Sequence, residues 1–239
     1  MSKKTLTTCL SFFHSIAFFA LPAFAEITPK PELLLPGSFH GDEVGAKAGE
    51  TWTALIETEK GFELKDVVIS VEAVHDPIID EKESDKTGKT ISVASAKNQK
   101  APLFLLKNLP STKLGPVKMV KKEKVDLYPG QSLGFPAENG YLRLLVTGLA
   151  KKSSSGEIGF QDYQVSTQQG EKNTILFEHK ATDSAQVPAL LWSGDINGDG
   201  IPDFFMSTSS KYSAMEWTLF YSDKKQQNYK KVSLTAYGC

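Results

Sequence analysis

Val67-Val68-Ile69-Ser70-Val71-Glu72-Ala73-Val74 is the stretch that decides the fold. Val67, Ile69, Val71 and Ala73 share one face of an extended chain and Ser70 and Glu72 fall on the other, which is the two-residue period of a half-buried strand. Working outward, residues 52–57, 90–94, 103–106, 141–147, 163–167 and 174–177 are also short, rich in β-branched or aromatic side chains, and bounded by Gly, Pro, Asn or Asp. No window of a dozen residues carries a helical stripe, and the best helical candidate is residues 94–100. The expected fold is mainly β, an antiparallel sandwich or two packed β subdomains with little helix. Residues 75–89 read as an exposed acidic connection, and residues 151–156 as a hairpin tip or a boundary, their length favouring the tip. The sequence is therefore taken in two parts, an N-terminal β region over 26–150 and a C-terminal β region over 151–239, which can share one core.

Residues 1–25 have the layout of a secretory signal peptide. Lys3 and Lys4 precede an apolar run over 10–20, and Ala23-Phe24-Ala25 forms a small-x-small cleavage site. The run is about half the ~20 residues a spanning helix needs, so no membrane span is expected after cleavage. The predicted mature chain begins near Glu26 and is periplasmic or secreted. The whole chain carries a formal charge of −1; the signal removes two lysines and no carboxylate, leaving nothing that attracts nucleic acid. Cys9 leaves with the signal, so Cys239 has no intramolecular partner and can instead join two chains through a disulfide.

The stretch that carries chemistry is Gly194-Asp195-Ile196-Asn197-Gly198-Asp199-Gly200-Ile201-Pro202-Asp203-Phe204-Phe205-Met206. Counting from Asp195, oxygen side chains stand at positions one, three, five and nine, a spacing that can wrap a hard cation with six or seven oxygens. Asp195, Asn197, Asp199 and Asp203 are the side-chain candidates, Ile201 offers its backbone carbonyl, and Gly198 and Gly200 permit positive φ. Three carboxylates this close repel one another unless a cation neutralises them, and an all-oxygen set suits Ca2+. An EF-hand would need a carboxylate at position twelve, which is Met206, and helices where Pro188 and Pro202 stand against them. The pattern GDINGDGIPDFF instead resembles the calcium loop of FG-GAP and VCBS-type repeats, in which an acidic turn joins two antiparallel strands. That resemblance covers residues 194–208 in a single copy. It implies calcium at the five residues named, and implies neither a propeller nor an adhesive function.

Residues 212–221 and 232–237 read as further strands, making the tail a β-meander whose first turn the ion clamps. A second cluster, His40, Asp42 and Glu43, places a histidine and two carboxylates in one glycine-punctuated turn, with Glu43 as a base and His40 as an acid or ligand. No nucleophile elbow, zinc helix or phosphate loop is present, and the mature histidines His40, His75 and His179 are far apart in sequence. These features favour a non-catalytic binding or interaction module for a protein or glycan ligand, with a structural calcium loop. The competing expectation is an envelope or secreted hydrolase that uses carboxylates of residues 40–43 or of residues 76–83.

Overall fold

The computed structural model describes residues 29–94, 100–121, 123–152, 154, 156–211, 213–223 and 228–237. The expected signal peptide, residues 95–99 of the helical candidate and Cys239 lie outside the described residues.

The chain is all-β and antiparallel, and the described helical structure is one 3-10 turn, Ser184–Gln186. Eight strands precede residue 130: β1 (Glu32–Leu34), β2 (Gly37–Phe39), β3 (Thr51–Thr58), β4 (Gly61–Val74), β5 (Gly88–Val93), β6 (Phe104–Lys107), β7 (Gly115–Lys121) and β8 (Val125–Asp126). Four more strands follow, β9 (Ser132–Ala137) and the long β10 (Gly140–Lys152), β11 (Ile158–Gln169) and β12 (Lys172–Asp183), and then the tail, β13 (Ala189–Asp195), β14 (Asp203–Ser207), β15 (Ala214–Asp223) and β16 (Asn228–Tyr237). Lys151 and Lys152 end β10 and pair with Gly159 and Ile158 of β11. Residue 150 therefore falls inside β10.

Two sheets result. One is 12-stranded and runs β1-β6-β3-β4-β7-β13-β14-β15-β16, with β2, β5 and β8 as branches; the other runs β12-β11-β10-β9. The two ends of the long path, β1 and β16, come to lie side by side, so the large sheet curls into a nearly closed barrel. The link between early and late chain is β7, which pairs with β4 through Phe62–Leu64 and with β13 through Ser193–Asp195.

The core explains why β13, β14 and β15 are apolar almost throughout. Trp192, Phe205, Leu219 and Tyr221 face the barrel interior with Leu55, Leu64 and Phe104, whereas Leu190, Phe204, Met206 and Phe220 face a second cluster with Phe135, Leu144 and Val165 of the smaller sheet. Strands covered on both faces lose the alternation of a half-buried strand. Leu190 and Trp192, two residues apart, would share a face in a regular strand. They enter opposite cores because the β13–β14 register shifts between them, and the one-residue bulge inverts the faces. In β4, by contrast, Ile69 is buried and Ser70 and Glu72 are exposed, the alternation the sequence shows.

Gly194 is required by packing. A Cβ there would run into the Trp192 indole and lie 2.9 Å from the Lys118 carbonyl oxygen. Both neighbours are fixed, one by core contacts with Phe62 and Phe104 and one by the β7–β13 ladder. Gly194→Ala is expected to cost about 1–3 kcal/mol, read as a lower midpoint in urea with an unchanged slope.

Five strands lie outside the sequence expectation. Residues 36–44 read as a turn, yet Gly37–Phe39 forms β2 and pairs with β5. β1 and β8 are too short for a period, β7 holds Pro116 and lysines, and β9 holds Gly134 and Pro136; each owes its conformation to a neighbouring strand.

Candidate metal centre

The loop between β13 and β14 is closed by its own side chains. Asp195 Oδ1 accepts the backbone N–H groups of Gly198 (2.7 Å) and Asp199 (3.1 Å), and its Oδ2 accepts that of Gly200 (2.9 Å). Asn197 Oδ1 accepts Asp199 N–H at 3.1 Å, and Asp199 Oδ1 accepts Ile201 N–H at 2.9 Å. Gly198 and Gly200 have φ of 69° and 82°, the left-handed region that lets successive N–H groups point into the loop. Asp203, at the head of β14, is 0 % exposed. Its Oδ2 accepts Ile196 N–H at 2.8 Å, so it crosses the loop and fixes Ile196 in the barrel core.

Ser222 is the residue that sequence reasoning missed. It lies on β15, where the pairing of Phe204 with Phe220 brings it beside the loop. Its N–H (2.7 Å) and Oγ (3.0 Å) donate to Asp203 Oδ1. Its Oγ also stands 2.9 Å from Asp199 Oδ2, and its carbonyl accepts Asn197 Nδ2 at 2.8 Å. The last bond turns the Asn197 amide nitrogen toward β15 and leaves the amide oxygen for the loop. No local signal marks Ser222, since only the β14–β15 register connects it to residues some twenty positions earlier.

The position of Asp203 is unfavourable for a carboxylate without a counter-charge. Burial pushes the Asp203 carboxyl well above the usual carboxylate range, and the Asp199 charge pushes it further, against the hydrogen bonds from Ser222 and Ile196. Among the described residues no lysine or arginine forms an ion pair with Asp203. The five residues fit a hard cation in donor chemistry. Asp195, Asn197 and Asp203 each keep an oxygen that accepts a single bond and so has a lone pair to give. Gly200 O accepts Glu138 N–H at 2.8 Å and Pro202 O accepts Tyr229 OH at 2.8 Å, whereas Ile201 O between them accepts no bond from the described residues. Among the described residues no three His, Cys, Asp or Glu side chains converge as a metal cluster, because these carboxylates are turned onto backbone N–H groups. The donor set is a mixture of carboxylate, amide and carbonyl oxygens.

The N-terminal cluster is divided by the structure. Asp42 is exposed and lies apart, whereas His40 and Glu43 meet Asp76 and His75 around a cleft of about 280 Å³. The acidic connection is not wholly exposed as the sequence suggested. Asp76 is 4 % exposed, because His40 Nδ1 at 2.6 Å and the N–H groups of Ile78 and Ile79 satisfy its carboxylate. Glu43 accepts His40 N–H at 2.9 Å through one oxygen and Tyr237 N–H through the other. Its carboxylate thus ties the end of β16 to the turn after β2. His179 stands elsewhere, stacked on Tyr163 and bonded to Thr208 O.

The bond to Asp76 holds the His40 imidazole above its ordinary value, against desolvation, and holds the Asp76 carboxyl below the usual range, against burial. The His40 contribution to stability is complete below about pH 6.5 and is lost as pH rises through the raised folded value. The Asp76 contribution is complete above about pH 3.8 and is lost as pH falls through the lowered folded value. The clasp is strongest between those limits. A melting temperature followed from pH 6 to pH 9 is expected to fall more steeply in the wild type than in Asp76→Asn, and equal slopes would contradict the pairing.

No helix among the described residues is long and apolar enough to cross a membrane. No family model, no curated protein and no solved structure matches the chain.

Proposed function

We propose that this chain is an exported, non-catalytic binding module whose β13–β14 loop takes one calcium ion as a structural clamp. The observation that carries the reading is the Ile201 carbonyl, unclaimed among the described residues and set between two claimed ones in a loop that also gathers Asp195, Asn197, Asp199 and the buried Asp203. The ion would supply a positive charge beside Asp203, which no lysine or arginine among the described residues pairs, and would tie β13, β14 and β15 together at one end. Export rests on the layout of residues 1–25, and the binding role on the absence of a catalytic motif in the sequence.

The test is thermal unfolding of residues 26–239 with calcium and with excess chelator. Calcium is expected to raise the midpoint by several degrees in the wild type and not in a variant carrying Asp195→Ala and Asp199→Ala. An equal midpoint with calcium and with chelator in the wild type would remove the proposal.

A second reading, a hydrolase, is favoured by the convergence of His40, His75 and Asp76 on one cleft. Against it, both oxygens of Glu43, the base that reading needs, already hold backbone N–H groups.

A further inference from the structure

Between the two sheets, beside the calcium loop, lies a cleft of about 480 Å³, within the roughly 300–1,000 Å³ typical of small-molecule sites. One wall is the smaller sheet. There Thr167 of β11 stands opposite Thr174 of β12, and Gln169 opposite Lys172. The other wall includes Ile201 of the loop and Tyr229 of β16. Thr167 lines the cleft, and its hydroxyl bonds no other group among the described residues and is not among the atoms shut off from solvent, so it opens onto the cleft. A hydroxyl that opens onto a cleft and bonds no protein group can exchange its water for a polar group of a bound molecule.

The rest of the lining narrows the chemistry. Asn139, Gln169 and Thr174 also have no side-chain partner among the described residues, and each both donates and accepts. Lys172 is the one cationic side chain in the lining, and Glu138 already has a partner, so a strongly charged ligand finds little to pair with. Leu142, Ile201 and Tyr229 add apolar surface. A wholly apolar ligand would strand the hydroxyls and amides. A molecule with hydroxyls along its edges and C–H groups on its faces satisfies both kinds of wall, and that is a neutral sugar.

We propose that this cleft binds a neutral oligosaccharide and that the calcium loop shapes one of its walls. This rests on the reading of the chain as a binding module. Ile201 of the loop and Ser222 of β15, which bonds to Asp199 and Asp203, both line the cleft, and the Glu138 N–H bond to Gly200 O fastens the β9–β10 turn to the loop. Sugar affinity should therefore fall when calcium is removed.

The test uses residues 26–239 in excess calcium, with β-linked di- to tetrasaccharides of glucose and of N-acetylglucosamine, followed by saturation-transfer NMR and calorimetry. Binding is expected, and Thr167→Val, which preserves shape, and Gln169→Ala should each weaken it about tenfold, the loss of one buried hydrogen bond. No binding of any of these sugars, unchanged binding by both variants, or occupation of the cleft by short peptides instead would overturn the inference. Calcium binding is recorded separately. A protein that binds calcium but no sugar overturns this inference and leaves the loop reading standing; one that binds sugar but no calcium upholds the cleft and overturns the loop.

Discussion

Asp203→Ala is expected to destabilise the protein by about 3–5 kcal/mol, among the largest effects a single substitution produces. The carboxylate accepts Ile196 N–H, Ser222 N–H and Ser222 Oγ–H in a position with no exposure to solvent. Truncation strands two backbone N–H donors at once, at about 1–3 kcal/mol each when nothing replaces the acceptor, while the Ser222 hydroxyl can turn to Asp199 Oδ2 at 2.9 Å. Asp203→Asn separates hydrogen bonding from charge. One amide oxygen can still take the two bonds from Ser222, while the amide nitrogen meets Ile196 N–H as donor against donor. Removal of the buried charge offsets part of that cost, so the expected loss is below about 2 kcal/mol. Urea unfolding in chelator should rank wild type above Asn and Asn above Ala. In calcium the wild type alone should gain. A gain by Asp203→Asn equal to the wild type's would show that the Asp203 charge is not part of the site.

The second large effect is on local opening. At a calcium concentration a hundredfold above the dissociation constant, binding to the folded state adds about 2.7 kcal/mol, roughly a hundredfold slower hydrogen exchange wherever exchange requires the loop to open. The amides that should respond most are those of Gly198, Asp199, Gly200 and Ile201, which the loop's own side chains hold. Ser222 N–H should follow, because it bonds to Asp203. Amides of β5, on the far branch of the large sheet, exchange by other openings and should respond less. Uniform slowing through the whole chain would mean that the ion acts only through global stability.

These two effects concern residues that differ in how visible they are in the sequence. The Asp195–Asp203 spacing is legible because the donors of such a loop are local in the chain. Ser222 is not, since its place beside Asp203 follows from strand register across β14 and β15. The same contrast runs through the fold. Val67–Val74 shows its period because its outer face meets water. Ala189–Asp195 shows an apolar run but conceals both its double coverage and the bulge that sends Leu190 and Trp192 into different cores. Asp76 looks like part of a solvated acidic run, and only the partner at His40, thirty-six residues earlier, explains its burial. Strands such as β7 and β9, with lysine, proline and glycine in them, exist because a neighbour offers a ladder.

The calcium claim itself is tested most directly by calorimetric titration of calcium into metal-free residues 26–239, beside the Asp195→Ala and Asp199→Ala double variant. One site per chain is expected in the wild type and none in the variant, with both proteins folded at the start of the titration. Absence of binding in the wild type, or the same single site in the variant, would contradict it.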